Sequence, residues 1–427
     1  MVQASGMLSK RLGDKRRVFY ALGGPGDIVR AHERWRQGVP DTREVSVTFS
    51  SQVADFCLAN ASAAYFVSPR SERARVVEGD FVLEHRPKLM PNATGLRFHL
   101  RELWYGCGLL ATAIRFRSDV VLLDTGSTTF PVMLLFKLCR FRVVPILHAA
   151  LWAAGHRPRG IKAGAFDFLN RIFFRYGADA VVGVSPECLR QVEELTFGHG
   201  PPAFEALAQF WPELFARVEP PPPHDEPFTS LFIGRIKRYK GVFDIVEAAA
   251  QLEEELPGRF RFEIWGEGPD SDELRREIAH RGLTHVVKAP GFLPRSEVPA
   301  ARARSHVGIV PTRTEFNEGM AMTAIESVLS GRPLVASSVV PAAEVLESAT
   351  MKCRANSVED LVRALRELAT DSDLYRQKVE ACAQLREPFF ERDRGLEAAL
   401  ERALSEDDLN GGRPHWRLPS LLSKSGL

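Results

Sequence analysis

Glu318 and Glu326 stand eight positions apart in the stretch His306 to Ser337, "HVGIVPTRTEFNEGMAMTAIESVLSGRPLVAS". On a helix of about 100° per residue, eight positions bring the second side chain back to within roughly 80° of the first, so both carboxylates can face one cleft. The backbone N–H groups of Gly319, Met320 and Ala321 open the helical run Met320 to Ser330. Such groups carry partial positive charge and suit a phosphate or a sugar hydroxyl. The simpler alternative makes Glu318 a dipole-favouring residue and Glu326 part of a solvated face. Upstream, "IGRIKRYKGVF" sets Arg235 and Lys240 on a loop after an apolar run, with Gly234 and Gly241 permitting tight turns. Two cations leading into a helix N-terminus can clamp a diphosphate; the alternative is a basic loop in water.

Four further features bear on this set. Gly23, Gly24 and Gly26 follow the apolar run "VFYAL". Their spacing is not Gly-x-Gly-x-x-Gly, so no dinucleotide site is indicated, although the backbone there can approach a phosphate. His148 closes "RVVPILH", which places an imidazole near the same cleft. Asp270 and Asp272 in "WGEGPDSDEL" resemble an Asp-x-Asp metal motif, but Asp270 or Ser271 is better read as a helix cap, and no metal is expected. "GVSPE" around Ser185 lacks the second glycine of a nucleophile elbow, which leaves serine hydrolysis without support.

The elements that must position these residues alternate. Strands are expected at 18–22, 45–49, 64–68, 119–124, 142–148 and 179–185, with helical stretches such as Thr94 to Phe116 and Lys162 to Tyr176 between them. That alternation specifies a parallel sheet covered on both faces, an α/β Rossmann-like domain. The run "RVEPPPPHDEP" breaks the pattern, because four consecutive prolines cannot join a sheet centre. Strands then resume at 230–235, 260–266, 285–291, His306 to Pro311 and "PLVAS". The division expected is a basic extension (1–17), a first domain (18–215), a linker (216–228), a second domain (229–371), helices returning to the first domain (372–405) and a loose tail (406–427). Ligands of such sheets sit beyond the carboxyl ends of the strands, and two such domains leave a cleft between them.

Composition limits the class. Of 427 residues, 45% are hydrophobic and 26% charged, as in soluble globular proteins. The first 215 residues hold 27 Lys and Arg against 20 Asp and Glu, so the second half is acidic although the whole chain carries +2. A basic first half is compatible with an anionic acceptor or a membrane surface. The segment "LNRIFFRYG" (169–177) could touch a membrane, with core packing of its aromatics as the plainer reading. Cys57, Cys107, Cys139, Cys188, Cys353 and Cys382 are scattered, without metal-site spacing, and read as reduced packing residues of a cytoplasmic protein. The first residues lack the apolar core of a signal peptide, and no run reaches the length of a membrane span.

Taken in order, "GRIKRYKG", "WGEGP", "GFLPRSEV", "VPTRTEFNEG" and "AIESVLSGRPLVAS" resemble the retaining glycosyltransferases of family 4, in glycosyl transferases group 1. The resemblance covers most of Ser230 to Ala369 and, more loosely, Val18 to Leu195. It implies the GT-B fold and transfer of a hexose from a nucleotide-diphosphate sugar to a glycan, a lipid-linked sugar or a small acceptor, with retained configuration and no cofactor or metal. It further implies that Arg235 and Lys240 hold the diphosphate and that Glu318 meets the donor sugar beside the amides of Gly319, Met320 and Ala321. Glu326 would bind the ribose, and Gly291, Phe292 and Leu293 would meet the base through their backbone. Gly23 and Gly24 would approach the phosphates, and His148 would line the sugar and acceptor side. Where the family has Phe-Gly after its Glu-Gly pair, this chain has Met320 and Ala321. A sugar-nucleotide epimerase and a non-catalytic nucleotide-sugar or glycan-binding scaffold are the alternatives on the same fold.

Overall fold

The computed structural model describes residues 15–40, 44, 46–90, 93–217 and 219–405. Two sheets organise them. The first holds eight strands: β1 (Arg17–Ala21), β2 (Ala63–Ser68), β3 (Ala74–Glu78), β4 (Phe81–His85), β5 (Val120–Asp124), β6 (Arg142–Leu147), β7 (Val181–Gly183) and β8 (Ala203–Glu205), in the order β3-β4-β2-β1-β5-β6-β7-β8. All neighbours are parallel except β3 and β4, which form a hairpin at the edge. The second is a six-stranded parallel sheet of β9 (Phe228–Ile233), β10 (Phe260–Trp265), β11 (Val287–Gly291), β12 (Val307–Val310), β13 (Leu334–Ser337) and β14 (Thr350–Cys353), ordered β11-β10-β9-β12-β13-β14. The central strands β5, β12 and β13 are buried along their whole length, as strands covered by helices on both faces must be.

Several sequence expectations are corrected. The expected strand at 45–49 is a single antiparallel bridge, Ser46 to Phe210, followed by the helix Phe49–Ala59. Thr48 Oγ1 accepts a hydrogen bond from Ser51 N at 3.1 Å, and this cap turns the chain into a helix before a ladder can form. The hairpin β3-β4, the short β8 and the edge strand β14 carry no strand expectation. Of the six cysteines, Cys107 and Cys139 are exposed rather than packed. β1 opens at Arg17 and β9 at Phe228, each one residue inside a segment assigned to an extension or a linker. Residues 1–14 and the tail from 406 lie outside the described residues.

The helices after 371 divide between the domains instead of returning together to the first. Helix Ser372–Gln384 stays on the second sheet, where Tyr375 Oη donates to the His306 carbonyl at 3.0 Å and Lys378 Nζ to the Thr350 carbonyl at 3.0 Å. Only Leu396–Leu404 buries its apolar face against the first sheet, through Leu396, Leu400 and Leu404. The chain therefore crosses between domains twice, and the crossings are stitched together. Phe210 N donates to the Phe389 carbonyl at 2.9 Å, Leu207 N to the Arg394 carbonyl at 2.9 Å, and Arg386 Nη2 to the Phe215 carbonyl.

Arg332 fixes the proline-rich linker to the second domain. Its guanidinium, 1% exposed, donates to the carbonyls of Glu219 and Pro220 on the linker, of Arg302, Ala303 and Ser305 at a helix end, and of Ser330. Burial lowers its pKa, and this carbonyl cage offsets the cost of burying the charge.

Candidate functional site

The second-domain wall is assembled from loops at the carboxyl ends of β9 and β12. Past β9 the chain makes a tight turn at Arg238–Lys240, and past β12 it runs from Pro311 to Ala321. The two loops are clamped by stacked Tyr239 and Phe316 rings, 4.6 Å between centroids and 2° from parallel, and by Arg313 N donating to the Tyr239 carbonyl at 2.8 Å. Lys240 Nζ lies 4.2 Å from the Phe316 ring centre and pairs with Glu318 Oε1. Thr312 Oγ1 donates to the same oxygen at 2.9 Å, and Ser337 Oγ holds the Thr312 carbonyl at 2.5 Å. Glu318 is 6% exposed, so its carboxylate is a buried charge with a paired cation. Arg235 stands exposed at the end of β9.

The helix that follows begins at Met322, not Met320. Ala321 precedes it in the left-handed region at φ +63, so the amides of Gly319, Met320 and Ala321 belong to a strained approach and not to the first helical turn. Glu326, 4% exposed, faces Arg302 Nη2 at 3.3 Å and Arg295 Nη1 at 3.7 Å, both through Oε2. Burial lowers the Arg302 pKa against the raising effect of Glu326. A cavity of about 590 Å³ opens beside Glu326, with Pro299, Ala303, Leu214 and Phe215 among its walls. At the end of β11 the Gly291 carbonyl is taken by Gly266 N at 2.8 Å, Phe292 is exposed and Leu293 buried. Asp270 takes the N-cap position of its helix, as expected, but makes no side-chain capping bond there. Asp270 Oδ2 accepts from Arg238 N at 2.7 Å and Ser271 Oγ from Gly268 N at 3.0 Å, which ties this loop to the Lys240 turn.

The first-domain wall uses neighbouring strands. Asp124 ends β5 and His148 follows β6; Asp124 Oδ1 lies 3.0 Å from His148 Nε2, an ion-pair contact off the hydrogen-bond line. Asp124 Oδ2 accepts from Tyr20 Oη at 3.0 Å and from Gly23 N at 3.3 Å. Burial alone would lower the His148 pKa; the Asp124 carboxylate overcomes it and raises the value above 6.5. A Cβ on Gly23 would sit 1.9 Å from the Thr125 carbonyl oxygen, so glycine is required there by close approach, whereas Gly24 faces open space.

These two walls meet. Ala150 N donates to the Glu318 carbonyl at 3.2 Å and Asn317 Nδ2 to the Leu151 carbonyl at 3.1 Å. A Cβ on Gly319 would come within 1.9 Å of the His148 carbonyl oxygen. His148, Glu318, Gly319 and Lys240 are thus brought together, with Gly23 linked to them through Asp124. Glu326 and the turn at Gly291 to Leu293 lie farther along the second wall. Sequence reading missed Asp124, Thr312, Arg295 and Arg302. Asp124 left a signal, a carboxylate closing "DVVLLD" just as His148 closes the adjacent "RVVPILH". Arg302 left none, because its partner is 24 residues away on another element.

Residues 217–385 match the family model described as Glycosyl transferases group 1. The chain is 31% identical over 143 residues to a 2-deoxystreptamine glucosyltransferase of Streptomyces kanamyceticus, covering 33% of this chain and 36% of that protein. It is 24% identical over 288 residues to glycogen synthase of Mycobacterium tuberculosis, covering 64% and 66%. The matched stretches therefore span between one third and two thirds of these relatives. Among solved structures it is similar to sucrose-phosphate synthase from Thermosynechococcus elongatus, with TM-score 0.64, 14% identity and coverage of 89% and 96%. It is likewise similar to an E. coli trehalose-6-phosphate protein bound with UDP-2-fluoro glucose, with TM-score 0.63, 12% identity and coverage of 90% and 97%.

Proposed function

We infer the activity from one premise: the second domain of this chain belongs to the glycosyl transferases group 1 family, and the described residues carry the GT-B fold. The protein is a retaining hexosyltransferase that moves a hexose from a nucleotide-diphosphate sugar to a glycan, lipid-linked or small-molecule acceptor. The observation that carries this reading is the Lys240–Glu318 pair, held by Thr312 one residue from the close approach of Gly319 to the His148 carbonyl.

Arg235 and Lys240 receive the donor diphosphate. As the bond from the sugar C1 to the diphosphate oxygen breaks, positive charge develops on the sugar ring and negative charge on the leaving oxygen. Prepositioned cations stabilise that oxygen without solvent reorganisation, a role that needs no metal. Glu318 and the amides of Gly319, Met320 and Ala321 orient the sugar. The acceptor oxygen bonds to C1 on the face the diphosphate leaves, and its proton passes to the departing diphosphate oxygen. Glu326 is held by its arginines through Oε2, and its carboxylate accepts from the ribose hydroxyls. Phe292 and Leu293 offer backbone to the base. His148, held by Asp124, lines the sugar and acceptor side, and Gly23 and Gly24 bring the first domain up to the phosphates.

The test is incubation of the purified chain with UDP-, GDP- and ADP-hexoses, alone and with candidate acceptors, with products resolved by NMR. A new glycoside with the donor's anomeric configuration, or slow donor hydrolysis with water as acceptor, is the expected result. An epimerised donor would overturn it in favour of isomerisation. Binding without any product would leave a nucleotide-sugar scaffold.

A further inference from the structure

The first domain carries an apolar surface that its core does not use. Helix Gly95–Phe116 exposes Leu96, Leu100, Leu103 and Trp104, spaced i, i+4, i+7 and i+8; Trp104 is 74% exposed. Helix Ile161–Ile172 exposes Ile161, Phe168 and Leu169 at i, i+7 and i+8, with Ile161 at 94%, and buries none of its residues. This spacing is the stripe by which a helix ordinarily faces a core. Here both stripes face outward.

The two stripes form one surface. The His99 and Phe166 rings stack at 5.4 Å between centroids and join the N-terminal halves of the helices. Exposed Leu89 and Met90 extend the patch, and Arg101 Nη1 anchors their loop through the Met90 carbonyl at 3.1 Å. Large contiguous apolar patches on soluble domains mark interaction sites.

Charge names the occupant. Arg97, Arg159, Lys162 and Arg175 are exposed around the apolar residues. The acids of the same segments are already engaged: Glu102 is buried against Lys88 and Arg101, and Asp167 pairs with Arg157 at 2.8 Å. Apolar and aromatic side chains rimmed by uncompensated cations fit the headgroup boundary of an anionic bilayer. In the segment 169–177, whose aromatics the sequence assigns most plainly to core packing, Phe173 and Phe174 are indeed fully buried, while Leu169, Arg175 and Tyr176 are exposed on this side.

We propose that this face, built from residues 89–90, 93–104 and 159–176, docks the protein on a membrane surface bearing anionic lipid. Both helices follow strands of the parallel sheet and so begin at the strands' carboxyl ends, the end that carries His148. A docked molecule therefore holds its cleft close to the bilayer.

The test is flotation of the full chain with vesicles of phosphatidylcholine alone and with about 30% phosphatidylglycerol. Binding at least tenfold stronger to the anionic vesicles, weakened by salt, is expected. Trp104→Ser with Phe168→Ser should lower it at least tenfold, with the circular dichroism spectrum and any donor hydrolysis unchanged. Arg97→Glu with Lys162→Glu changes only exposed side chains and should lower it severalfold, which keeps the test decisive if the first pair misfolds. Equal partition onto both vesicle types, or anionic binding indifferent to both pairs, overturns the proposal. So does a failure to bind vesicles accompanied by self-association that the same substitutions abolish, which would assign the face to a second copy. Vesicle binding is read without catalysis, so its failure and that of the transferase reading are distinguishable.

Discussion

The two walls of the cleft are built by different means. On the second domain each proposed ligand-facing carboxylate is matched to a cation: Glu318 to Lys240, Glu326 to Arg302 and Arg295. On the first domain the wall is mostly backbone, with Gly23 against Thr125 and the His148 carbonyl against Gly319, and the charged pair nearest that contact is Asp124 with His148. A wall of paired charges fixes where a diphosphate and a sugar can sit. A wall of close backbone leaves room for side chains to vary with the acceptor. Under the proposed function, this contrast assigns donor chemistry to one wall and acceptor choice to the other, and substitutions should divide accordingly.

The largest effect is expected at Lys240. Lys240→Ala removes the cation proposed to stabilise the leaving group and strands the buried Glu318, so kcat should fall about 10²- to 10³-fold, the range seen when one charge-stabilising donor is deleted. Steady-state donor turnover measures this, and an unchanged rate would remove the second wall from the chemistry. Next comes Arg302→Met, which leaves Glu326 buried with only the more distant Arg295. Unfolding in urea should show a loss of about 3 kcal/mol. Donor KM should rise with it. Glu326→Gln is the gentler companion, with a smaller rise in KM at nearly unchanged volume.

On the first wall the expected effect is smaller and depends on pH. The His148 pKa is raised above 6.5 by Asp124, so the folded state binds the proton more tightly than the unfolded chain. The stability contributed by this pair is fully present below about pH 6.5 and is lost as pH rises through the raised value. Melting temperatures of the parent and Asp124→Asn measured from pH 5 to 9 should differ most at the acid end and converge at the alkaline end. A constant difference would mean that His148 does not titrate against Asp124. The smallest effect is a gain. Ala321 sits at φ +63 where the resembling family has glycine, and Ala321→Gly should stabilise the fold by about 0.5 kcal/mol in urea, strain relief slightly exceeding the added chain entropy.

Legibility in the sequence follows the same division. The strand at Val307–Val310, the loop carrying Glu318 and the turn carrying Lys240 could be read because each lies within a few residues of its own apolar run and glycine punctuation. The first domain was harder. "VSVTF" has strand composition, yet Thr48 caps a helix, and no local rule weighs a cap against a single bridge to distant Phe210. The β3-β4 hairpin escaped because β3 is a half-exposed edge strand with little apolar alternation. Asp124 and Arg302 acquire their roles only when strands or helices far apart in the chain meet. The outward stripe on Gly95–Phe116 was recognisable as amphipathic, but its direction is set by the neighbours that Tyr105 and Leu109 pack against.

Arg332 also decides how the molecule can flex. Because its guanidinium grips both the linker at Glu219 and Pro220 and the helix end at Arg302 to Ser305, the prolines travel rigidly with the second domain. Any change in the angle between domains must be absorbed by the chain before Glu219 and by the return crossing near 386–395. Those stretches are hydrogen-bonded side by side at Phe210 with Phe389 and at Phe215 with Arg386. Two tethers fastened together oppose twisting between the domains more than two separate strands would, which favours keeping the Glu318 loop in one register against His148.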